Sequence, residues 1–81
     1  MTARWFPVDV TSEEAAFGFV VADAPSGNRT VVVAKLGPGL RAVKVRGHGG
    51  KTQYLVCNEL LAPLYPVAKS LEELQARFLS R

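Results

Sequence analysis

The chain is nearly without cysteine and histidine, the residues of cross-links and of most transition-metal sites. Cys57 is its one cysteine and His48 its one histidine. A lone cysteine cannot close an internal disulfide, and one Cys with one His cannot complete a structural zinc site. A His48–Cys57 pair acting as base and nucleophile would need an orienting third group and an oxyanion hole, and no nearby stretch supplies either. The glycines of "GPG" at 37–39 and "GHGG" at 47–50 lack phosphate-loop spacing and do not open a helix. No metal, cofactor or enzymatic activity is therefore expected, and Cys57 reads as a small buried apolar residue. No apolar run approaches the roughly 18 residues of a membrane span. The start, "MTARWFPVDV", has no basic region followed by a long apolar one, so no secretory signal is expected and the reading is cytoplasmic.

What is present is the composition of a folded globule. The 81 residues are 48% hydrophobic and 21% charged, which is too apolar for a disordered chain and too short for a second domain. Charge is unevenly spread. Residues 24–58 hold six basic side chains (Arg29, Lys35, Arg41, Lys44, Arg46 and Lys51) and no acid, while the remainder is net acidic. A basic middle between acidic ends points to an anionic partner. A core this thin also leads to the expectation of a homodimer or larger homo-oligomer.

Turn signals fall at short intervals: "APSGN" at 24–28, "GPG" and "GHGG". Between them lie runs rich in valine and aromatics that read as strands over 3–8, 17–22, 30–36, 40–46 and 52–57. The segment "TSEEA" between the first two reads as a loop or a single helical turn. Short strands with tight connections make an antiparallel meander. In the fourth strand, alternation turns Arg41, Val43 and Val45 one way and Ala42, Lys44 and Arg46 the other. This predicts Val43 and Val45 in the core, with Lys44 and Arg46 together on the outer face. The run Val31-Val32-Val33 predicts a third strand buried on both sides.

The period changes over residues 70–81, "SLEELQARFLSR". Leu71, Leu74, Phe78 and Leu79 form one helical stripe. Ser70 and Glu73 match a capping box, and Glu72 and Glu73 at the start with Arg77 and Arg81 at the end complement the helix dipole. Before it, "CNELLAPLYP" has room for one short turn ended by Pro63 and Pro66. The expected fold is all-β to α+β: a small curled antiparallel sheet or barrel of about five strands, OB-like or Src-homology-3-like, with a C-terminal helix.

The stretch "FGFV" at 17–20 bears on function. On a strand, Phe17, Phe19 and Val21 share one face, and they are either core or a stacking platform for bases. Together with "RWF" at 4–6, this stretch resembles the opening of the cold-shock domains, five-stranded OB-fold barrels that bind single-stranded nucleic acid. The resemblance covers the first quarter of the chain. It implies Trp5, Phe17 and Phe19 as stacking residues, with basic residues of the middle strands guiding phosphates. On that reading Lys35, Arg41, Lys44, Arg46, His48 and Lys51 complete a nucleic-acid-binding surface. "YPVA" at 65–68 resembles a stretch of the plasmid-type dihydrofolate reductases, but their Val-Gln-Ile-Tyr is replaced by "APLY", and no activity is read from it. The competing function is a protein-interaction or assembly module, a small subunit or inhibitor working through the helix stripe and the strand edges. Burial of Phe17 and Phe19 would favour the second reading.

Overall fold

A computed structural model describes residues 7–25, 27 and 29–78, with the side chain of His48 left out. Its elements run α1 (Ser12–Phe17), β1 (Val20–Asp23), β2 (Thr30–Gly37), β3 (Leu40–Arg46), a short 3-10 turn (His48–Gly50), β4 (Thr52–Cys57) and α2 (Leu71–Phe78). The four strands form one antiparallel sheet in the order β1-β2-β3-β4. Beyond β4 a fifth, broken row follows. Pro63 bridges Cys57 and Ala68 bridges Tyr54, each in the antiparallel sense. The Tyr54 and Ala68 amides exchange bonds of 2.8 and 2.9 Å, and the Leu64 amide donates to the Val56 carbonyl at 2.9 Å. The small antiparallel sheet with a C-terminal helix is thus as expected. The sheet stays open and does not close into a barrel.

The expected strand at 17–22 is shortened by a helix. Thr11 caps α1: its hydroxyl accepts from the Glu14 amide at 3.1 Å, and Glu14 Oε1 accepts from the Thr11 amide at 3.0 Å. This reciprocal box satisfies two amides of the first turn and holds "SEEAAF" helical. Gly18, at φ 124°, then turns the chain into β1, a conformation that side chains with a Cβ rarely adopt. Phe17 therefore ends a helix, and Phe17 and Phe19 do not share a strand face. The expected strand at 3–8 lies mostly outside the described residues, and Pro7 and Val8 are irregular.

Both faces of the sheet are buried. One carries Phe19, Val32, Ala34, Ala42, Tyr54 and Val56 beneath Leu74, with Phe17, Leu71 and Phe78 half-buried around them. The other carries Val31, Val43, Val45 and Cys57, with Leu61 packed against them. Val31 and Val32 are both buried, as expected for a strand covered on two sides. Val43 and Val45 are buried too, but the helices cover the opposite face, the one that bears Lys44. In α2 the Ser70 hydroxyl accepts from the Glu73 amide at 3.1 Å, while the Glu73 carboxylate reaches past the cap to the Lys69 amide at 3.2 Å. Arg77 pairs with Glu73 and donates to the Pro66 carbonyl at 2.6 Å, tying the helix to the fifth row. No helix among the described residues is long and apolar enough to cross a membrane.

Candidate functional site

The residues proposed for base stacking and phosphate contact fall in different places. Phe19 is 2% exposed, its ring 5.3 Å from Tyr54 and 5.5 Å from Phe17. The turn at Gly18 drives it into the core, so it offers no face to a base. Phe17 is half-buried at the end of α1, and Trp5 lies outside the described residues. Lys44 is 2% exposed instead of standing on an outer face. Lys35 and Arg41 are register partners on the sheet face away from the helices. Arg41 lies 4.0 Å from Glu59. Arg46 is half-buried on the helix side, and Lys51 is exposed after the turn that holds His48. The fold thus brings Lys35 to Arg41 and separates that pair from Arg46.

Lys44 is buried because three acceptors meet it. Its Nζ donates to Glu14 Oε1 at 2.9 Å, to the Asp9 carbonyl at 2.8 Å and to Asp9 Oδ2 at 3.4 Å. Those bonds use all three protons of an ammonium group. Glu14 is also buried, and its second oxygen accepts from the Tyr54 hydroxyl at 2.6 Å. Burial pushes the Glu14 pKa up, but the bonds from Tyr54, Lys44 and the Thr11 amide outweigh it and hold the carboxyl below its ordinary value. Burial and the Glu14 carboxylate together push Tyr54 far above its ordinary 10.0. Asp9 is held low by a backbone hydrogen bond and by Lys44. A cleft of about 340 Å³ opens beside this cluster, lined by Asp9, Thr11, Arg46 and Lys69 among others. The Lys44 ammonium has spent its three donors, and the Glu14 carboxylate accepts three bonds from Lys44, Tyr54 and the Thr11 amide. The cluster is therefore a fastener between α1 and strands β3 and β4. Sequence reasoning missed it, although "TSEE" carries the same capping signal that located α2.

Two of the surfaces left open among the described residues bear on binding. The first is the β1 edge. The Ala24 amide donates to the Arg29 carbonyl at 2.8 Å, so that pair is hydrogen-bonded, as are Ala22 with Val31 and Val20 with Val33 by alternation. Val21 and Asp23 then point their backbone groups away from β2. The edge is bounded by Pro25, which has no N–H, and by Phe19, whose amide donates to the Glu14 carbonyl at 3.0 Å. Val20 and Val21 are 58% and 51% exposed. The second surface is a groove of about 540 Å³ between α1 and α2. Cys57 opens onto neither: it is buried, its thiol donates to the Arg41 carbonyl at 3.7 Å, and burial raises its pKa.

Comparison of the chain with protein-family models, with curated proteins and with solved structures finds no match.

Proposed function

We propose that the chain is a non-enzymatic assembly module that joins a second copy of itself through β1. The observation that carries this reading is the open edge of exposed valines, at a sheet whose other margin is already covered by residues 63–68. An unpaired apolar edge is a template for another strand. A two-fold axis at Val21 sets Val21 opposite its own copy and Asp23 opposite Phe19, with no like charges facing. An axis at Asp23 would set two carboxylates opposite each other, which is unfavourable. Most of the described helix stripe is spent on the core, because Leu74 is buried and Leu71 and Phe78 pack against it while staying partly exposed. A nucleic-acid surface would have to work without Phe19 and Lys44, so the assembly reading has the better support.

Light scattering at micromolar concentration tests it. The expected mass is close to twice the 8.8 kDa of one chain. Val21→Lys places a charge on the axis at an exposed position, where substitutions usually change stability by no more than about 0.5 kcal/mol. This variant is expected to be a monomer with an unchanged melting temperature. A wild-type chain that stays monomeric, or a Val21→Lys chain that still dimerises, refutes the reading.

A further inference from the structure

We infer that the groove between α1 and α2 is a second, separate docking site, and that it takes a cationic, apolar segment of a partner protein. Its floor is formed by Ala16, the half-buried ring of Phe17, and Leu71. Its rim carries Glu13 from α1 and Glu72 from α2, both exposed, with Gln75 beside them. Among the described residues, neither of these carboxylates is in an ion pair, and no basic residue lines the groove. Glu73, by contrast, faces away into its pair with Arg77. The groove thus sets an apolar floor between carboxylates on two different helices. The complementary occupant has an aliphatic or aromatic anchor flanked by arginine or lysine, since complementary potentials select partner and register. At about 540 Å³ the groove has room for one large side chain and its neighbours. α1 holds this wall in place because Glu14 is fastened to Lys44 and Tyr54 on the side facing the sheet. The site does not depend on the pairing of β1.

The probe is a fluorescein-labelled twelve-residue peptide of alternating arginine and leucine with one central tryptophan. Its control is a twin with glutamate for every arginine. Anisotropy should show the basic peptide bound at least about tenfold more tightly than its twin. Neutralising the rim with Glu13→Gln and Glu72→Gln should remove that preference. Ala16→Arg, at an exposed helical position, should block the basic peptide while the melting temperature holds. Val21→Lys should bind as the wild type does, which separates this site from the β1 edge. Equal affinity for the two peptides, binding of neither, or binding indifferent to both groove variants would overturn the inference.

Discussion

Lys44 shows how much one buried charge depends on its neighbours. Removing one partner of a buried ion pair leaves the other uncompensated, at a cost of about 3–5 kcal/mol, whereas replacing the whole pair by apolar groups is often neutral. Lys44→Met should therefore destabilise the chain by about 3–5 kcal/mol in urea unfolding. Adding Glu14→Met should restore part of that loss, with a coupling of about 0.5–3 kcal/mol, the range for residues in one network. Simple additivity of the two changes would show that Lys44 and Glu14 do not act as a pair. Nothing local in the sequence marked this residue. Alternation along "LRAVKVR" tells which side chains share a face, and Lys44 with Arg46 looked like the wet one. The acids that make burial tolerable, Asp9 and Glu14, lie 35 and 30 residues away, and a pairing over that span leaves no periodic trace.

Among the elements, those set by local rules were legible and those set by competition were not. Strands β3 and β4 occupy the expected 40–46 and 52–57, because glycine turns bound β3 on both sides and β4 at its start. α2 follows its cap and its leucine spacing. β1 is shorter than "AAFGFVVAD" suggests because the Thr11–Glu14 box commits "SEEAAF" to a helix of only 6 residues, too short for a hydrophobic period to show. Of the site, the capping signal could be read from the sequence; the β1 edge could not, because a strand expected over 3–8 placed residues 17–22 inside the sheet. The groove could not, since it exists only where two helices far apart in the chain come side by side. α2 matters for the whole core. Leu74 is buried in the helix-covered face, and Leu71 and Phe78 pack beside it. Fully burying each such side chain contributes about 1.5–3 kcal/mol, against a total of about 5–15 kcal/mol for a domain. Deletion of residues 70–81 should leave a molten or aggregated chain without a cooperative thermal transition. A truncated chain that melts cooperatively at the wild-type temperature would show that α2 is dispensable.

For the molecule as a whole, the fastener sets a pH window. Glu14 and Asp9 have folded-state values below their ordinary ones, so the stability they contribute is complete above the ordinary carboxylate range and is lost as pH falls through the depressed values. Tyr54 has a raised value, so its contribution is complete below its ordinary 10.0 and is lost as pH climbs beyond it. Unfolding free energy from urea titrations should be level across the neutral range and fall at both ends. In a Tyr54→Phe chain the alkaline fall should shrink and the acid fall should persist; an unchanged alkaline fall would show that Tyr54 is not its source. The amide of Phe19 gives the same fastener another role. That amide is occupied only while α1 remains wound, because its acceptor is the Glu14 carbonyl. Once acid protonates Glu14 and the helix frays, the free edge of β1 lengthens by a residue toward its N-terminal side, and that residue is a phenylalanine. Under the proposed pairing, acidified chains should then meet along a longer seam that includes the Phe19 amide, so the fastener also sets how much of β1 a second copy can reach.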